Sequence, residues 1–138
     1  ICGENPTYTG KLLIGSGLKI SYVLQDPSFL DGNLSDYATK EQIDESLFKT
    51  ILRKLDFSRA QFEKDMRDFS FGQKKKVLIA KSLCERAHLL IWDEPLNYID
   101  VLSRIQIENL LLACKPTILF VEHDREFCQN VATKTVQM

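Results

Sequence analysis

The sequence predicts an α/β fold with parallel strands, and three observations carry that prediction. From Asp68 onward, helical and strand-like stretches alternate regularly. Two of the strand stretches, His88–Trp92 and Thr117–Glu122, hold consecutive apolar residues over a strand-sized length, which implies burial on both faces. Two carboxylates, Asp93 and Glu94, stand directly after the first of them, where open α/β sheets take their ligands.

The chain has 138 residues, which is one domain or a large piece of one. A hydrophobic fraction of 44% is enough for a core. With 18 Lys+Arg against 19 Asp+Glu, the formal charge of -1 excludes a polyanion binder held by bulk positive charge. A local anion site stays open. No apolar run reaches the roughly 18 residues of a membrane helix, and no basic-then-apolar leader opens the chain. Cys2, Cys84, Cys114 and Cys128 form no C-x-x-C pair and have no His at zinc-ligand spacing. They read as reduced, buried thiols of a cytoplasmic protein. The chain begins at Ile1 and its first Met is Met66, so a processed chain or a piece of a longer one is expected.

The elements follow in order. Gly3–Gly10 reads as a loop. Lys11–Ile14 and Leu18–Val23 are short strand-like runs, and Gly15-Ser16-Gly17 between them predicts a hairpin. Gln25-Asp26-Pro27 ends that pattern. Leu30–Asp68 is polar and helical. Thr39-Lys40-Glu41-Gln42 predicts a capping box, and Ile43, Leu47, Ile51 and Leu55 then mark one helix face. Ser58-Arg59-Ala60-Gln61 predicts a second cap, with Phe62 and Met66 behind it. Gly72 opens a helix to about Arg86, with Val77, Ala80, Leu83 and Cys84 as its apolar face. Asp100–Ala113 is helical, with Leu102, Ile105 and Leu112 on roughly one side. Asp124–Asn130 is a short helix, and Ala132–Met138 a last strand.

Four places invite chemistry. At Asp93-Glu94 two adjacent acids repel at a buried strand end, so something must compensate them. A Mg2+ on Asp93 with Glu94 polarising a water meets that need, whereas solvated turn acids before Pro95 are the plain alternative. Phe69-Ser70-Phe71-Gly72-Gln73 places a hydroxyl and free N–H groups at a helix start, an anion site or a simple Ser cap. Lys74-Lys75-Lys76 then oppose the helix dipole in its first turn, so they form either a solvated basic face or a contact to an external anion. His123 and Gln25 each end a strand run, where His can meet a phosphate or a water and Gln a metal or a water.

The order Gln25, helical insertion, Ser70-x-Gly72-Gln73, Asp93-Glu94-Pro95, Asp100, His123 resembles the ATP-binding cassette (ABC) nucleotide-binding domain. The resemblance covers nearly the whole chain and implies a partial P-loop NTPase (RecA-like) α/β cassette. Residues 30–68 would be its small helical subdomain and 69–138 the signature, Walker B, D-loop and H-loop part. It also implies roles. Gln25 would be the Q-loop glutamine, at the metal and the nucleotide. Ser70, Gly72 and Gln73 would belong to the signature motif, in which Phe69 and Phe71 replace the more usual Leu and Gly. Asp93 would be the metal carboxylate, Glu94 the catalytic base, Asp100 the D-loop acid and His123 the switch histidine. The runs GQKKKVLIAKSLCERAHLLIWDEPLNYID and FVEHDREF are similar to the ABC-F family, in particular its ribosome-protecting, antibiotic-resistance members. That likeness implies ATP and Mg2+ as cofactors, a second cassette as partner, the ribosome as a further one, and no membrane domain.

A P-loop, G-x-x-x-x-G-K-[ST], does not occur in the 138 residues. Gly10-Lys11 is followed by Leu12, and Gly15-Ser16-Gly17 has no Lys after it. The chain therefore reads as the later portion of a cassette, expected to be inactive alone and to self-associate through an unfilled sheet flank. The alternatives are a transporter cassette, a chromosome or repair ATPase of the SMC type, and a non-catalytic interaction module. No long heptads precede Phe69, which disfavours the SMC type.

Overall fold

The computed structural model describes residues 9–11 and 13–137. Three strands, β1 (Ile20–Val23), β2 (Leu89–Asp93) and β3 (Ile118–Val121), form one parallel sheet in the order β1-β2-β3. The registers align Val23 with Trp92 and Trp92 with Phe120. All three strands therefore end at the same edge. This is the α/β architecture predicted from the alternation of elements.

Between β1 and β2 lie α1 (Leu34–Lys40), α2 (Glu45–Lys54), α3 (Arg59–Phe62), a 3-10 turn (Met66–Asp68) and α4 (Phe71–Cys84). After β2 come α5 (Val101–Cys114), β3 and α6 (Arg125–Val131). One core runs through both parts. Leu34, Phe48, Leu52, Leu55 and Met66 of the helical insertion are fully buried with Val23, Ile79 and Trp92. Each such side chain contributes about 1.5–3 kcal/mol.

Local chemistry explains the helix starts. Asn33, Asp44, Asp65, Ser70, Asp100 and Asp124 each accept a backbone N–H from the first turn of the element that follows. At the second predicted cap the Ser58 N–H donates to Gln61 Oε1 at 2.6 Å, one half of a capping box.

Several expectations are corrected. The predicted hairpin is not seen among the described residues. Leu12 lies outside the described residues, the rest of 9–19 is irregular, and β1 pairs instead with β2. Gly3–Tyr8 of the predicted loop also lie outside them. Thr39 is inside α1, and α2 is capped by Asp44, because Gln42 adopts φ 55° and breaks the chain between the two helices. Of the predicted α2 face, Ile51 and Leu55 are buried, Phe48 and Leu52 join them, and Leu47 is exposed. In α5 the buried residues are Ser103, Ile107 and Leu111, and Leu102, Ile105 and Leu112 face outward. Around α4 the apolar face is too narrow a description: Lys74–Ala80 and Ser82 are all buried, while Leu83 and Cys84 are only half-buried. Residues 132–137 form no strand.

The sheet is also not buried on both faces. Ser21, Val23, Leu90 and Trp92 are packed inside, but Tyr22, Leu119 and Val121 on the other side are exposed. Cys114 is exposed and Cys84 and Cys128 are half-buried, against the expectation of buried thiols; Cys2 lies outside the described residues. Burial pushes the Cys84 thiol up to about 12, with Asp44 and Glu85 adding to it, so it is no nucleophile at neutral pH.

Candidate functional site

The common edge of the three strands is where the site assembles. Gln25 stands two residues beyond β1, Glu94 one beyond β2 and His123 two beyond β3. Gln25 Nε2 donates to Glu94 Oε2 at 2.6 Å across 69 residues of sequence. His123 Nε2 lies 3.5 Å from Glu94 Oε1. Asn97 Nδ2 donates to the same Oε2 as Gln25. The hydrogen bond from Gln25 holds the Glu94 carboxyl below the usual carboxylate range; burial opposes it, and Asn97 and His123 reinforce it. Glu94 is therefore an anion at neutral pH. Its backbone sits at φ 45°, a left-handed conformation that a non-glycine residue takes at a cost of about 1–3 kcal/mol.

Asp93 ends β2, and its carboxylate makes no hydrogen bond or ion pair among the described residues. Gln25 uses its N–H on Glu94, which leaves the amide oxygen for a cation. An amide oxygen and a carboxylate suit Mg2+, which takes a few protein oxygens and completes its shell with phosphate and water. No cluster of three or more His, Cys, Asp or Glu among the described residues is placed to hold a metal alone. The residues therefore fit Mg2+ only in company with a phosphate ligand. When bound, the ion would neutralise charge on phosphate oxygens.

A second group lies at the start of α4. Ser70 Oγ accepts the Gln73 N–H at 3.2 Å, and Gln73 Oε1 accepts the Ser70 N–H at 2.9 Å. This is a reciprocal cap, and it leaves the Ser70 hydroxyl proton uncommitted among the described residues. Gly72 is needed for a different reason. A Cβ there would stand 2.4 Å from the Tyr98 carbonyl oxygen, so only glycine admits this approach. Exposed Phe71 packs on Tyr98 with ring centroids 5.4 Å apart.

Asp100 does not reach the sheet edge. It caps α5 through the Ser103 N–H and hydroxyl, at 2.9 and 2.8 Å, and pairs with Lys76 at 3.1 Å. Burial pushes its carboxyl up, but Ser103 and Lys76 outweigh that and bring it down to about 2. Asp100 thus joins the α4 start to the turn after β2.

The three lysines are not a solvated basic face. Lys74, Lys75 and Lys76 are at most 8% exposed. Lys76 meets Asp100, and Lys74 and Lys75 donate to backbone carbonyls. The opposition to the helix dipole that flagged them is relieved by these internal acceptors. Two further residues escaped the sequence reading. Asn97 lay inside a quoted run without being singled out. Glu122 accepts N–H groups from His123 at 2.8 Å, Leu96 at 3.1 Å and Asp124 at 3.4 Å, so it ties the His123 turn to the turn after β2.

The fold and this cluster define an α/β domain whose polar site lies at the carboxyl ends of parallel strands. The ABC transporter family matches residues 4–97, and the chain belongs to that family. It is 35% identical over 142 residues to the ATP-binding protein Uup of Buchnera aphidicola subsp. Acyrthosiphon pisum (strain APS), covering 97% of this chain and 24% of that protein. It is 31% identical over 133 residues to the putative ATP-binding protein YdiF of Bacillus subtilis (strain 168), covering 94% of this chain and 21% of that one. Among solved structures it is similar to a complex of archaeal ribosomal stalk protein aP1 with archaeal ribosome recycling factor aABCE1. There the TM-score is 0.73 at 25% identity, with 94% of this chain and 26% of that chain covered. The cassette fold and the ABC-F likeness expected from the motifs stand with these findings. The chain spans about a quarter of the length of the curated relatives it matches. Among the described residues, no helix is long and apolar enough to cross a membrane.

Proposed function

We propose that this chain is the later part of a cassette in a longer ATPase of the ABC-F type, and that Glu94 orients the water that attacks the terminal phosphate. The observation that carries the reading is the convergence of Gln25, Asn97 and His123 on one ionised carboxylate. Phosphoryl transfer asks the protein mainly for positioning and charge. Glu94 would hold the water, and His123 would hold Glu94 on one side and meet the γ-phosphate on the other. Gln25 and Asp93 would share the Mg2+ shell. Ser70, Gly72 and Gln73 would face the phosphate of a nucleotide held by a second cassette, with Asp100 bracing the adjoining turn. A phosphate cradle of the G-x-x-x-x-G-K-[ST] kind would come from elsewhere in the longer protein.

The test is steady-state ATP hydrolysis by the longer protein, with Glu94→Gln beside the wild type. Loss of about a hundredfold or more in kcat, with ATP still bound, is expected from removing the base. Turnover within a few-fold of wild type would overturn the role of Glu94. Calorimetry on the 138-residue chain is expected to show no micromolar Mg-ATP binding; such binding would overturn the division of labour between the two parts.

The relatives' names say ATP-binding, and the archaeal structure is a ribosome recycling factor with a ribosomal stalk protein. These favour a cytoplasmic, ribosome-linked protein over a transporter subunit. Antibiotic resistance rests on the ABC-F likeness of the motifs alone.

A further inference from the structure

A cation is already built into the acidic strand edge. Lys75 is 0% exposed, and its ammonium donates to the carbonyls of Leu24 at 2.8 Å, Gln25 at 3.1 Å and Asp93 at 3.3 Å. These three acceptors lie on the ends of two neighbouring strands, one leading to Gln25 and the other to Glu94. No carboxylate pairs directly with Lys75 among the described residues, yet Asp93, Glu94, Glu122 and Asp26 all act on it electrostatically. A buried ammonium is costly unless all three of its donors are satisfied, and here the backbone satisfies them. The arrangement has consequences for geometry. The Lys75 side chain starts on the second turn of α4, whose first turn holds Ser70 and Gly72. It ends between the backbone atoms that set where the Gln25 and Glu94 side chains point.

We propose that Lys75 is a positioning residue: an internal cation that locks the ends of β1 and β2 together, aligns Gln25 with Glu94, and couples that pair to the start of α4. The compensation that two adjacent acids demand is thus partly internal, and α4 cannot shift without moving the Gln25 turn. The proposal rests on the reading of Glu94 as the water-orienting base. The ammonium touches no reacting atom in it.

Lys75→Met keeps the length and apolar stem of the side chain and removes its charge and donors. Lys75→Arg keeps both. In the 138-residue chain, amide hydrogen exchange would be followed at Ser28, Leu30 and Asn97, whose N–H groups are bonded within the two turns, and at Glu94, whose N–H donates to the Val121 carbonyl of β3. Lys75→Met is expected to speed exchange there by about tenfold or more, with α2 and α5 unchanged, and Lys75→Arg to restore most of the protection. Unchanged exchange in both turns, or an equal rise in every helix, would overturn the proposal. In the longer protein, Lys75→Met is expected to lower kcat by about tenfold with KM for ATP within about twofold, because positioning and not binding is lost. A rise in KM at constant kcat would overturn it. A wild-type protein without ATPase activity would sink the functional reading and leave the exchange result standing.

Discussion

Glu94 shows how much one side chain can gather. Three donors from three loops meet on its two oxygens, and its backbone is held left-handed to present them. Gln25, Glu94 and His123 were legible in the sequence because each ends a strand-like run, and parallel strands carry their ends to one edge. Lys75 was legible only as an oddity. A lysine triplet near a helix start is visible, but the carbonyls that hold Lys75 lie 51, 50 and 18 residues away, and no local pattern encodes them. Gly72 illustrates a second kind of hidden constraint. Its φ is ordinary, so the requirement comes only from the Tyr98 carbonyl. Gly72→Ala is therefore expected to destabilise the chain by about 1–3 kcal/mol, since backbone must move to admit the methyl group. Urea denaturation measures this, and an unchanged midpoint would show that the turn around Tyr98 yields freely.

The helices were read more easily than their faces. Charge and cap residues give starts, and all seven N-caps among the described residues are Asn, Asp or Ser. The predicted face of α2 holds at Ile51 and Leu55, and Leu47 alone turns outward. α5 carries more apolar residues than one face can hold, so periodicity alone admits two phases, and packing against α6 selects one. The cap of α5 has a testable pH signature. The Asp100 carboxyl lies at about 2 in the fold against an ordinary 3.8. A depressed carboxylate stabilises fully above its unfolded value and loses that contribution as pH falls through its folded one. Stability from Asp100 should thus be intact above about pH 4 and fade toward about pH 2. The carboxylate is more than half exposed, so solvent screening limits its share to under about 1 kcal/mol. Urea melts of Asp100→Asn and wild type should differ at pH 7, draw together below about pH 4 and converge only below about pH 2, and a constant gap would count against this account.

At the scale of the molecule, the sheet is covered on one side only. Tyr22, Leu119 and Val121 stand on the exposed side, with half-buried Ile91 between them. The apolar runs imply two covered faces, and the structure covers one. What covers the second face is not encoded in the run. An open apolar face favours self-association. Light scattering of the 138-residue chain is expected to show species above monomer that rise with concentration, and Leu119→Glu to reduce them. A concentration-independent monomer would refute this. The covered side holds a further resource. The only tryptophan of the sequence, Trp92, is fully buried one residue from Asp93. Its indole N–H donates to Ser82 Oγ at 2.9 Å, and Ser21 Oγ lies within hydrogen-bond distance of the same oxygen at 2.8 Å. The indole is thus fixed in a dry setting between α4 and β2, where a shift of either element alters its polarity. The chain carries its own optical reporter: the colour of its ultraviolet emission registers whether α4 and the acid-bearing strand remain in place, without any label.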